Sequence, residues 1–167
     1  PSFIPLGSKV YVEGYGYASF AKDGDYIDSG VGSGLDLGTD YSVAIKFVYD
    51  NNEDIYRRRL ISGGGIDVYL QNDGRFMSSF GYVNEEGTVA YKSLSLDSNF
   101  LEDNKIYDIV FVYNNGIMQL YVNGELIKEV STGPYSVLVS DCNYLIGTTC
   151  SVDGSRNIHS YDKNIYF

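Results

Sequence analysis

Residues 114–130 read NNGIMQLYVNGELIKEV. Two short apolar-alternating runs, Ile117–Val122 and Glu125–Val130, are separated by Asn123-Gly124 and preceded by Asn115-Gly116. Asn-Gly is the strongest short hairpin signal, because both central residues of a type I′ turn need positive φ and these two residue types tolerate it. The stretch therefore reads as strand, tight turn, strand. The preceding run, KIYDIVFVYN (105–114), alternates as well. Ile106, Asp108, Val110 and Val112 fall on one face, and Tyr107, Ile109, Phe111 and Tyr113 on the other.

The pattern recurs along the chain. YSVAIKFVY (41–49) sets Val43, Ile45 and Phe47 against Ser42, Ala44 and Lys46. VAYKSLSL (89–96) puts Val89, Tyr91, Ser93 and Ser95 on one face. KVYVEG, YASFA, DYIDSG, RLISGG, IDVYLQN, GRFMSSFGYV, NYLIGT and HSYDKNIYF also read as strands, and QNDGR, NEEG and VDGSR as turns. No window of helical length carries apolar residues at i, i+3, i+4 and i+7. The predicted fold is all-β: a two-sheet antiparallel jelly-roll sandwich.

Composition agrees. The 167 residues suffice for one domain burying roughly 70% of its unfolded surface. They include 17 Tyr, 8 Phe and 19 Gly but no Trp, a mixture of pleat-filling rings and turn formers. The whole chain, 1–167, is read as one domain, with residues 1–14 as a lead-in strand or linker from an upstream module. The net charge of −10 argues against nucleic acid and anionic membrane surfaces as partners. No stretch reaches the ~20 apolar residues that cross a bilayer, so membrane insertion is not expected. Cys142 and Cys150 flank NYLIGTT. If that segment is extended, their Cα atoms stand roughly 20–25 Å apart, too far for a disulfide, and two unpaired thiols are expected.

The segment YDIVFVYNNGIMQLYVNGELI (107–127) resembles the signature hairpin of the concanavalin A-like lectin/glucanase superfamily, in its laminin G-like branch. ASFAKDGDYIDSG (18–30), LDLGTDYSVAIKFVY (35–49), LISGGGIDVYLQNDGRFMSSFG (60–81), NYLIGTT (143–149) and IHSYDKNIYF (158–167) are similar to further family blocks, in the family's order. The resemblance covers residues 17–167 and implies the sandwich. It leaves function open among lectins, glycan-binding modules, adhesion domains and virion proteins.

Catalysis is not expected. The family's glucanases alternate carboxylates on one strand, which sets acid and nucleophile about 5–5.5 Å apart for retention. Here NNEDIY, VNEEGT and FLEDNK place acids side by side in turns, and His159 has no nucleophile motif near it. The resemblance also implies one structural calcium ion between the Asp/Gly loop and the closing strand, with Asp25 and Asp162 ahead of Asp23 as ligands. The closing strand reads YDKN rather than the paired Asp-Asp of relatives.

Sugars are held by aromatic stacking and by polar groups matched to hydroxyls. With Trp absent, Tyr takes that role, and the candidates are Tyr15, Tyr17, Tyr82 with Asn84, and Tyr91. The segment 82–91 departs from the family pattern and is the preferred site. Arg57, Arg58 and Arg59 stand out among few bases, and Arg58 is a candidate clamp for an acidic glycan. Alternation sends Arg57 and Arg59 to one face and Arg58 to the other. The expected function is non-catalytic binding of carbohydrate or a cell-surface glycan, by a module of a larger extracellular, cell-surface or virion-surface protein. The alternative is a structural or protein-interaction module of a phage particle, a decoration, fibre or tail component that contacts other chains of its assembly.

Overall fold

The computed structural model describes residues 26–31, 34–49, 57–71 and 73–148, with the side chains of Arg57 and Arg58 excepted. Ten strands are seen among the described residues: β1 (Ile27–Asp28), β2 (Asp40–Tyr49), β3 (Arg57–Gly63), β4 (Ile66–Gln71), β5 (Phe76–Val83), β6 (Val89–Ser95), β7 (Lys105–Asn114), β8 (Ile117–Val122), β9 (Glu125–Ser131) and β10 (Leu145–Ile146). They form two antiparallel sheets. One has six strands in the order β1-β10-β3-β4-β5-β6, and the other four in the order β2-β7-β8-β9. The all-β sandwich expected from the alternation is the fold observed.

The hairpins around Asn114–Val130 set the register of the smaller sheet. Asn114 pairs with Ile117 across Asn115 (φ 41°) and Gly116 (φ 94°), and Val122 pairs with Glu125 across Asn123 (φ 49°) and Gly124 (φ 86°). Asn123 also accepts the Asp108 amide on its side-chain oxygen at 3.0 Å, which ties the second turn to β7. With register fixed, alternation sends Tyr107, Ile109, Phe111 and Tyr113, then Met118, Leu120 and Val122, to one face. They meet Leu60, Val68, Leu70, Phe76, Phe80 and Leu94 from the larger sheet. Each such side chain contributes about 1.5–3 kcal/mol of burial free energy.

Phenylalanine and tyrosine fill the space a Trp would take. The Phe80 and Tyr113 ring centroids lie 4.4 Å apart, and Tyr41 meets Phe80 edge-on at 6.2 Å. Burial pushes the Tyr41 phenol far above its ordinary value, so it stays protonated. Tyr113 is fully buried, and its hydroxyl orders the segment that follows β9. It lies 3.0 Å from the Gly133 carbonyl and 2.8 Å from the Tyr135 carbonyl, and it accepts the Tyr135 amide at 2.8 Å. Tyr113→Phe removes these bonds; the Tyr135 amide keeps the Gly133 carbonyl at 2.9 Å, while the Tyr135 carbonyl loses the hydroxyl. The expected loss is about 1–3 kcal/mol, read as a lower denaturant midpoint with an unchanged slope.

One contact links the two sheets, and a glycine turn of the larger sheet anchors the segment after β9. Lys128 of β9 donates to the Ser95 carbonyl of β6 at 2.9 Å, with Asp97 at 3.6 Å. The β3–β4 turn is Gly63-Gly64-Gly65, at φ 116°, 55° and 85°. A Cβ on Gly63 would lie 2.0 Å from the Asn143 carbonyl oxygen, one on Gly64 2.5 Å from the Tyr144 ring, and one on Gly65 2.1 Å from the Leu138 carbonyl oxygen. The segment 137–144 thus packs backbone against backbone on this turn.

Two expectations need correction here. Among the described residues, DYIDSG contributes only Ile27–Asp28 to a strand, and NYLIGTT only Leu145–Ile146. Gly147 then turns the chain at φ 85°, so the 143–149 segment is not extended from end to end. Cys142 is disulfide-bonded rather than a free thiol, and Cys150 is the chain's other cysteine. The expectation of two unpaired thiols failed because it assumed seven extended residues between them.

Candidate functional site

On the larger sheet, the face turned away from the sandwich core has an ordered composition where β5 meets β6. Val83 pairs with Val89, Gly81 with Tyr91, and Ser79 with Ser93. These are alternate residues on neighbouring strands, so all six share one face. The result is three parallel rows: two valines, a glycine with a tyrosine, and two serines. Tyr91 is 62% exposed, the most exposed large hydrophobic side chain among the described residues.

Gly81 positions that ring. A Cβ at Gly81 would lie 3.4 Å from Tyr91 Cε1 and 3.6 Å from Leu138, so the Tyr91 ring approaches the glycine closely and covers it. The segment 137–140 continues the row on the other side. Leu138 N donates to the Gly81 carbonyl at 2.7 Å, and Gly81 N donates to the Gly65 carbonyl at 2.9 Å. The Tyr91 platform therefore rests on backbone held by the glycine turn.

Toward β3 the same face is closed. Arg59 is 9% exposed, with its guanidinium 4.6 Å above the Tyr69 ring. Its Nε lies 2.9 Å from Asp67 Oδ1, an ion pair without the alignment of a directed hydrogen bond. Asp67 is flanked by Ser62 on β3 and Ser79 on β5.

A family model described as the concanavalin A-like lectin/glucanases superfamily, of laminin G type, matches residues 21–157. The chain belongs to that superfamily. No curated protein matches it. Among solved structures, a Bacteroides ovatus protein to which carbohydrate binding is ascribed has a TM-score of 0.55 at 12% identity, covering 90% of this chain and 38% of that one. The binding domain of botulinum neurotoxin serotype D has a TM-score of 0.52 at 23% identity, covering 77% and 33%. The binding domain of Paraclostridial Mosquitocidal Protein 1 has a TM-score of 0.51 at 14% identity, covering 92% and 42%. At these identities the likeness is one of fold, and the chain spans about two fifths or less of each structure's length. The superfamily's name spans both lectins and glucanases.

Within this concanavalin A-like frame, the sequence-predicted residues separate. Tyr91 stands on the open face. Tyr82 does not join it, because Tyr91 pairs with Gly81 while Tyr82 pairs with Ala90, one residue on and so on the opposite face. Tyr82 is 8% exposed and stacks on Tyr135 at 4.1 Å, with Lys92 Nζ 5.7 Å from one ring and 5.2 Å from the other. It serves the core, which removes it from the exposed stacking role expected. Asn84 shapes the β5–β6 turn. Its side-chain oxygen accepts the Glu86 amide at 3.1 Å, the Thr88 amide at 2.9 Å and the Thr88 hydroxyl at 3.0 Å. That network accounts for an Asn at this position.

Arg58 occupies the register position opposite Leu70, and Arg57 and Arg59 those opposite Gln71 and Tyr69, the alternation expected. Tyr15, Tyr17, Asp23, Asp25, His159 and Asp162 lie outside the described residues. Asp28 is committed to the Gly30 amide at 2.9 Å and the Asn143 side chain at 3.0 Å. Among the described residues no three His, Cys, Asp or Glu side chains converge as an ion would need. The calcium expectation rests on the three aspartates Asp23, Asp25 and Asp162, outside the described residues.

Sequence reasoning missed Gly81 and Leu138. The alternation of FMSSFGYV already set Ser79, Gly81 and Val83 on one face. Leu138 carried no such signal, because it lies in a segment without strand pattern.

Proposed function

We propose that this domain is a non-catalytic carbohydrate-binding module of a larger extracellular or surface protein, with its ligand seated on Tyr91. The observation that carries the reading is the pairing of a tyrosine ring, exposed on a sheet face, with a row of serine hydroxyls beside it. Stacking on the ring and hydrogen bonds to hydroxyls are the two interactions that hold a pyranose. The carbohydrate binding ascribed to the Bacteroides ovatus neighbour supports the same reading. Against hydrolysis, the row through Asp67 sets serines beside it, where a retaining enzyme needs a second carboxylate about 5–5.5 Å away. The disulfide at Cys142 supports an oxidising, extracellular setting.

The test is a glycan array probed with the wild-type domain and with Tyr91→Ala. Wild type should bind a restricted set of glycans. The variant should bind them roughly tenfold or more weakly, while its stability stays within about 0.5–1 kcal/mol of wild type. Silence of the wild-type domain across the array, with concentration-dependent self-association, would replace this reading with a structural module.

A further inference from the structure

We infer that the sugar bound at Tyr91 is neutral and carries a methyl group, as N-acetylamino and 6-deoxy hexoses do; this rests on the carbohydrate-binding reading above. The Tyr91–Gly81 row has chemically opposite neighbours. On one side lies the Ser79–Ser93 row, and on the other the Val83–Val89 row, each displaced by two residues, or ~7 Å. A hexose centred on the ring thus meets hydroxyls at one edge and bare methyl groups at the other. Val83 is 53% exposed and Val89 45%, a cross-strand apolar pair left uncovered by the described residues. An unsubstituted hexose would set a hydroxyl against those valines, where the pair offers it no hydrogen bond. A ligand methyl group would bury apolar surface there instead.

Charge points to a neutral ligand. Among the described side chains, the bases of the larger sheet's neighbourhood are engaged. Lys92 lies over Tyr82 and Tyr135, Arg59 is paired with Asp67, Arg75 lies 2.7 Å from Asp73, and Lys128 reaches across to Ser95. The turn joining the valine-bearing ends of β5 and β6 carries exposed Glu85 and Glu86. A carboxylate or sulfate on the ligand would lose hydration there without gaining a cationic partner.

Titration calorimetry of the wild-type domain with four probes tests this: an N-acetylglucosamine oligomer, a fucosylated oligosaccharide, a glucose oligomer and a sialylated oligosaccharide. At least one of the first two should bind roughly 4- to 10-fold tighter than the glucose oligomer, and the sialylated probe should show no advantage. The first two arms separate the N-acetyl source of the methyl from the 6-deoxy source. In Val83→Ser/Val89→Ser the preference should fall to about equal affinity while binding persists, and Tyr91→Ala should weaken every probe. Equal wild-type affinity for glucose and methyl-bearing probes overturns the inference, as does preference for the sialylated probe or a preference unchanged in the double variant. In each of those cases the carbohydrate reading stands if Tyr91→Ala still weakens binding. Binding of none of the four, together with a silent array, removes the broader reading as well.

Discussion

Gly65→Ala is expected to cost on the order of 2–5 kcal/mol, a large loss for one added methyl group. Two penalties coincide. The residue sits at φ 85°, where an L side chain clashes with its own backbone, at about 1–2 kcal/mol. The new Cβ would also lie 2.1 Å from the Leu138 carbonyl oxygen, which cannot rotate away as a side-chain tip can. Relief requires moving the 137–140 segment, and the Leu138 amide then loses its 2.7 Å bond to Gly81. The denaturant midpoint should fall sharply. Gly124→Ala is a useful control, since it has a similar φ of 86° but no atom within 4 Å of the added carbon. Equal losses in the two variants would mean that strain alone matters and that the close packing of the turn does not.

Loss of the disulfide should have the next largest effect. A cross-link from Cys142 to the chain's one other cysteine would close a loop of nine residues and restrict the unfolded chain by roughly 2–3 kcal/mol in the chain-entropy account. Thermal melts with and without reductant measure it, and Cys142→Ser should match the reduced wild type. A melting temperature indifferent to reductant would show that the cross-link adds nothing to stability. The position of Cys142 gives the loss a structural route, because its carbonyl accepts the Gly64 amide at 3.2 Å, within the same glycine turn.

The parts of this molecule legible in its sequence are those set by neighbours in the chain. Asn-Gly at 115–116 and 123–124 announced its turns, and alternation in 41–49 and 105–114 divided the residues into the two faces observed, because turn chemistry and pleat are local properties. What stayed hidden depends on register between strands. Tyr82 and Tyr91 looked like a cluster because both lie near one turn, but a one-residue difference in register decides whether they share a face. The Asn84 network fixes a turn that pairs Val83 with Val89, and this pairing sends Tyr82 inward. The cysteines misled for a related reason. Spacing predicts separation only if the intervening residues stay extended, and Gly147 ends that condition.

Lys92 and Lys128 have a joint consequence for the border of the larger sheet. Strand β6 is its last member among the described residues, and a border strand is usually guarded by outward charge. Here Lys92 is spent on the Tyr82 and Tyr135 rings, and Lys128 shields only the Ser95 end. The protection is therefore lopsided. The end bearing Val89 and Tyr91 is guarded only by Glu85 and Glu86 of the adjoining turn, and the same residues that offer a sugar its platform are those a crowded solution would bring together first.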